Sequence, residues 1–141
     1  MPKVLGGKQM SRRELREHIF RLIFRKEFHA QEEMPEQLQI YLEDLAVAKD
    51  KDQTYIEEKY KNILSHLEQI DKSINEIAAG WSTVRMGKVD LAIIRLAVYE
   101  VLFDDDVPTG VAINEAVELA KKFGGEESSV FINGVLAKLA I

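Results

Sequence analysis

Arg12, Arg13 and Arg16 head the first helical pattern of the chain, and on a 100° wheel Arg13 and Arg16 share a stripe with Phe20 and Phe24. Planar guanidinium groups bind phosphate through paired donors and offer a surface on which bases stack. A phenylalanine ring is a second stacking platform, and a helix N-terminus adds partial positive charge for phosphate. The combination points to RNA. Each residue also has a plainer use. Glu17 and Arg21 form an i,i+4 pair that supports any helix, and phenylalanines at helical spacing are more often core than base platforms. Basic helices also lie on membranes, but those keep a continuous apolar face for lipid. Here the face made by Leu15, Ile19, Leu22 and Ile23 is needed for the core, with Arg21 and Arg25 on the far side.

Little else resembles catalytic or metal-binding machinery. The absence of cysteine excludes disulfides, thiolate metal sites and cysteine nucleophiles together. His18, His29 and His66 are scattered, and none stands at a metal-binding spacing. No glycine-rich phosphate loop occurs, and Gly124-Gly125 reads as a helix stop. Asp104-Asp105-Asp106 could hold a cation, although a solvated turn is the commoner use of such a run. The expectation is a non-enzymatic protein with no metal and no cofactor.

The elements that must position these residues are all helical, because every apolar pattern repeats at about 3.6 residues and none alternates over a strand length. Ser11-Arg12-Arg13-Glu14 is a capping box that opens a helix running to about His29. Pro35 suits the first position of a second helix, whose buried stripe is Leu38, Leu42, Leu45 and Ala46. Lys49-Asp50-Lys51-Asp52 reads as a charged loop, Thr54 and Glu57 as a second capping box, and Ile56, Tyr60, Ile63, Leu64 and Leu67 as the stripe that follows. A short helix is expected after Asp71, with Ile74, Ile77 and Ala78 inward and Gly80 as its stop. Val89–Phe103 is apolar almost all round, which predicts a helix buried on every side. Val111–Phe123 follows, and then a last helix capped by Ser128 or Ser129 and carrying Phe131, Ile132, Val135, Leu136 and Leu139. The count is seven helices in an all-α fold.

A chain of 141 residues, 46% of them hydrophobic, is sized for one domain that needs no staple. The N-terminus lacks the apolar region of a secretory signal, and no run of 18 apolar residues exists, so a cytoplasmic protein away from membranes is expected. The net charge of −5 is unevenly spread. Residues 1–30 hold eight Lys/Arg against three acids, while residues 31–141 hold eleven against 21. A basic head, beginning in an arm of residues 1–10 with Lys3, Lys8 and the flexible pair Gly6-Gly7, therefore precedes an acidic body.

From Trp81 onward the residues acquire a specific likeness. VDLAIIRLAVYE at 89–100 resembles the central helix of the NusB family, VAINEAVELAKKFG at 111–124 its next helix, and FINGVL at 131–136 its closing motif. The arginine-then-apolar first helix is similar as well; the likeness covers Ser11–His29 and Trp81–Ile141, with residues 30–80 matching in spacing only. Physically these motifs read as mostly structural. Ala112, Ala116 and Ala120 let helices approach closely, Gly134 inside a helix implies a close neighbour, Asn133 reads as a core amide, and Arg95 and Glu100 as a polar network.

The resemblance implies two packed helical bundles, at about 11–80 and 81–141. It further implies a transcription antitermination factor that binds boxA-type single-stranded RNA together with ribosomal protein NusE, in a complex on RNA polymerase that supports ribosomal RNA transcription. By the same resemblance, RNA contacts fall on Arg12, Arg13 and Arg16, on the last loop at Glu127, Ser128, Ser129 and Val130, and on Phe131, with Lys8 of the basic arm expected beside the arginines; partner contacts fall on Phe24 and Asp90. Glu14 and Val130 stand where the family often carries bases, which implies weaker RNA affinity without NusE. Two other readings stay open. One is a helical protein-interaction or homodimerisation module without intrinsic RNA binding. The other is the RNA-recruiting domain of a ribosomal RNA methyltransferase, which is disfavoured because no methyltransferase segment lies in these residues.

Overall fold

The computed structural model describes residues 10–45, 50–78, 80 and 82–139, and among them every regular element is helical. The expected capping box opens the first helix, α1 (Arg12–Arg25): the Glu14 N–H donates to Ser11 Oγ at 3.1 Å, and the Ser11 N–H to Glu14 Oε1 at 2.9 Å. The α-helical hydrogen bonding stops at Arg25, and the stretch expected to continue to His29 tightens into a 3-10 turn, Lys26–Phe28. Pro35 lies in the first turn of α2 (Met34–Asp44), where its missing N–H costs nothing.

Next come α3 (Asp50–Ser65) and α4 (Leu67–Ile77), separated by His66 alone, which leaves helical geometry at φ −107° and ψ 8°. Two expectations are corrected here. Asp50–Asp52 are helical and not a loop, and Thr54 lies inside α3 and is exposed, so it opens nothing. Helix α4 begins at Leu67, ahead of Asp71. Gly80, at φ +79°, adopts the left-handed conformation that stops the chain after α4.

The last three helices are α5 (Lys88–Phe103), α6 (Thr109–Phe123) and α7 (Ser128–Leu139). The chain divides into two compact units, one up to Asn62 and one from Ile63. The division falls within α3, and α4 packs on α5 and α7. In the second unit every residue from Leu91 to Glu100 is buried, as expected of an all-round apolar helix shielded by its neighbours α4, α6 and α7. Ala112, Ala116 and Ala120 are buried where α6 packs on α5 and α7, the close approach that small side chains allow. Arg95 donates to both oxygens of Asp71 on α4, at 2.9 and 2.8 Å, so a bidentate bridge ties the spine to its neighbour.

Two motif readings fail. Gly134 has nothing within 4 Å of the position a Cβ would take, and Asn133 is exposed, so neither close packing nor a core amide accounts for them. The glycine that packing does require is Gly124. A Cβ there would stand 2.6 Å from the Ser128 side chain and 2.8 Å from the Ala120 carbonyl oxygen.

Candidate nucleic-acid interface

The predicted site residues fall in two groups, one in each unit. In the first unit, Arg12 and Arg13 are exposed in the first turn of α1, directly after the capping box. Arg16 differs: it is only 8% exposed, so its guanidinium is not offered to solvent as the other two are. Phe20 is buried, which settles its double reading in favour of core, while Phe24 stays partly open. The rings of Phe20 and Phe24 stack at 6.2 Å, and Phe24 meets Phe28 edge-on at 5.0 Å, so the aromatics run as a ladder from the core outward. Across the helix, Arg25 lies 4.9 Å over the Tyr41 ring, and Arg21 lies 3.6 Å from Glu17. Lys8 and residues 1–9 of the expected arm lie outside the described residues.

In the second unit, Asp90, Glu127, Ser128 and Phe131 line one groove of about 560 Å³, joined by Met86, Glu126 and Val130. Asp90 sits in the first turn of α5, where the helix dipole favours a carboxylate. The 3-10 turn Thr83–Arg85 brings the chain to that turn, held by the Thr83 N–H donating to Asn75 Oδ1 at 2.8 Å. Ser128 is the first residue of α7 and is buried; the Gly125 N–H donates to its Oγ at 3.0 Å. Its hydroxyl therefore closes the α6–α7 loop, in place of the capping role expected for it.

The groove is lined by three carboxylates, Asp90, Glu126 and Glu127, together with the apolar surfaces of Met86, Val130 and Phe131. Such a surface repels phosphate and suits a basic partner. A carboxylate can still accept from a base amino group, and a partly exposed ring such as Phe131 can carry a stacked base.

The remaining candidates for chemistry have structural employment. His18 Nδ1 and the Tyr41 hydroxyl are hydrogen-bonded at 2.7 Å. The His66 ring lies 4.2 Å from that of Phe103, and His29 lies 3.7 Å from Glu33. The Asp106 N–H donates to Asp104 Oδ1 at 3.1 Å, making the acidic run a self-bonded turn. Among the described residues, no three His, Asp or Glu side chains converge as a metal site would require, and no helix is long and apolar enough to cross a membrane.

The model of the NusB family matches residues 13–140. The chain belongs to the NusB family. A relative from Agathobacter rectalis, the transcription antitermination protein NusB, is 53% identical over 131 residues, 93% of this chain and all of its own length. The protein of the same name from Acetivibrio thermocellus is 45% identical, over 92% of this chain and 88% of its own. Among solved structures, T. maritima NusB superposes with a TM-score of 0.84 at 35% identity, covering 94% of this chain and 92% of that one. A crystal structure of antitermination factors NusB and NusE in complex with double-stranded RNA matches at 0.76 and 25% identity, covering 92% and 97%.

Within this NusB fold, sequence reasoning missed Glu126 and Met86 as groove residues and Asp52 as a buried carboxylate. No periodic signal marks Glu126 or Asp52, since each lies in a short charged run that reads as solvated.

Proposed function

We propose that this chain is a transcription antitermination factor that binds RNA together with NusE and has no enzymatic activity. The observation that carries the reading is the 53% identity to an antitermination protein over that protein's whole length. The exposed Arg12 and Arg13, at a capped helix start, supply the phosphate-binding element, while the carboxylates of Asp90 and Glu126 supply a docking surface for a basic ribosomal protein. Phe24 adds a half-open aromatic contact for the same partner, and Arg16 reinforces the field from a buried position. The RNA is boxA-type and single-stranded, with Phe131 stacking on a base and Glu127 and the Ser128 segment bordering it; ribosomal RNA transcription on RNA polymerase is the setting.

The test is a fluorescence titration of a labelled boxA-type single strand and a duplex of equal length, each with and without NusE. Binding that favours the single strand and tightens with NusE is expected. Equal binding of strand and duplex would contradict the single-strand assignment, and no binding of either, with NusE present, would contradict the RNA reading.

A further inference from the structure

Three apolar side chains stand exposed at one end of the second unit. Leu102 and Phe103 close α5, Val111 lies in the first turn of α6, and they are 44%, 37% and 45% exposed. The two helices pack on each other and are joined by the turn 104–108, which brings these ends together. Single exposed apolar residues need no explanation, but a group gathered at one end of a helix pair marks an interaction surface. Phe103 is held in place: its ring lies 4.2 Å from that of His66 and 5.9 Å from that of Tyr99, while part of it stays open to solvent.

The turn carries Asp104, Asp105 and Asp106. Asp104 is occupied in shaping it, since its Oδ1 accepts the Asp106 N–H, whereas Asp105 and Asp106 are exposed. The partial charges of the α5 C-terminus and the α6 N-terminus have opposite signs and cancel to a first approximation. The three carboxylates therefore set the sign of the field around the apolar group. That sign selects the occupant. Phosphate is repelled, which disfavours RNA and anionic lipid headgroups. A basic protein segment fits on both counts. Its guanidinium or ammonium groups pair with Asp105 and Asp106 and lie over the Phe103 ring, and an aliphatic side chain covers Leu102 and Val111.

We propose that the α5–α6 turn is a docking surface for a basic segment of a partner protein, one that carries arginine or lysine beside an aliphatic residue. It is distinct from the groove at Asp90. Asp90 and Phe103 stand near opposite ends of α5, about 20 Å apart along its axis. The inference does not depend on the RNA-binding reading above.

The experiment titrates the full chain with a synthetic peptide of alternating arginine and leucine, and reads affinity from the NMR shifts of the amides of residues 102–111. The unaltered chain is compared with Asp105→Asn plus Asp106→Asn, with Leu102→Ser plus Val111→Ser, and with Asp90→Asn plus Glu126→Gln in the groove. Phe103 is left in place because it packs on His66 and Tyr99. The shifts are expected to move with the peptide and to stay still with its glutamate–leucine counterpart. Each pair at the turn should weaken binding by about fivefold or more, and the groove pair by less than about twofold. All three variants should melt as the unaltered chain does.

Shifts that do not move, or that move equally with the glutamate peptide, would overturn the proposal. So would undiminished binding by either pair at the turn, an equal loss from the groove pair, or a pair at the turn that unfolds the chain. Sedimentation of the chain alone tests for another occupant. A mass that rises with concentration, and falls to that of one chain in Leu102→Ser plus Val111→Ser, would show the surface covered by a second copy and overturn the assignment to a basic segment.

Discussion

His18 bonds to Tyr41 with its imidazole half-buried, and burial, followed by the Arg21 charge, holds its pKa below the usual 6.5 despite the opposing pull of Glu17 and Glu14. A folded pKa below the unfolded one means that the unfolded chain takes up the proton first. The contribution of His18 to stability is therefore complete above pH 6.5 and is lost as pH falls through the lower folded value. Thermal midpoints measured from neutral to mildly acidic pH should fall more steeply for the natural chain than for His18→Gln; parallel profiles would remove His18 from the transition. Tyr60 has the opposite sign. Its hydroxyl is buried with no hydrogen-bond partner among the described residues, and desolvation pushes its pKa up to about 12. The folded state is then unaffected below pH 10 and loses stability as pH rises through about 12. Tyr60→Phe removes an unsatisfied polar atom and should leave neutral-pH stability unchanged or raise it by up to about 1–2 kcal/mol. A loss of that size in denaturant melts would show that the hydroxyl is satisfied. At this scale the sequence was legible where chemistry is local, as in the reciprocal bonds of Ser11 and Glu14. It was illegible where a partner lies far along the chain, as for Asp52 with Met10 or Asp71 with Arg95, because a single carboxylate has no periodicity to reveal which donor it meets.

Among the elements, α5 is the one whose role follows most directly from its composition. Leu96 is 1% exposed at its centre, and Leu96→Ala should cost about 2–5 kcal/mol in chemical denaturation; a cost below 1 kcal/mol would mean the surrounding helices collapse into the space. The α6–α7 loop depends on Gly124 for a different reason. Gly124→Ala would drive a methyl group into the Ser128 side chain and the Ala120 carbonyl, and should lower stability by about 1–3 kcal/mol while reshaping the groove that Glu127 and Phe131 line. An unchanged melt would show that the loop moves aside freely. The centres of the helices were readable because buried stripes persist over several turns. The junctions were not. Residues 50–52 lie in α3, where a charged run reads equally well as loop. The break at His66 is one residue long, and neither proline nor glycine marks it. The FINGVL motif invited a packing account of Gly134 and Asn133 that their exposed positions do not support.

For the molecule as a whole, the polarised charge is the feature that ties sequence to function: 8 bases and 3 acids in residues 1–30, 11 and 21 in the remainder. Family membership accounts for the partners proposed, and the exposed Arg12 and Arg13 are the residues to which the proposed RNA binding is assigned. The candidate site was legible as residue types and family motifs. The sequence could not reveal that Arg16 is buried, or that Asp90 and Glu127 share one groove, because both depend on which side chains the fold gathers. The most direct test of the central claim is the salt dependence of binding to boxA-type single-stranded RNA, measured for the natural chain, for Arg12→Ala with Arg13→Ala, and for Lys121→Ala with Lys122→Ala. Both pairs are exposed and remove the same charge. Each phosphate contact contributes about −0.7 to the slope of log K against log salt, so loss of the arginines should flatten it by about 1.4 and loss of the lysines should leave it nearly unchanged. Equal flattening by both pairs, or none by the arginines, would contradict an RNA-binding surface at the start of α1.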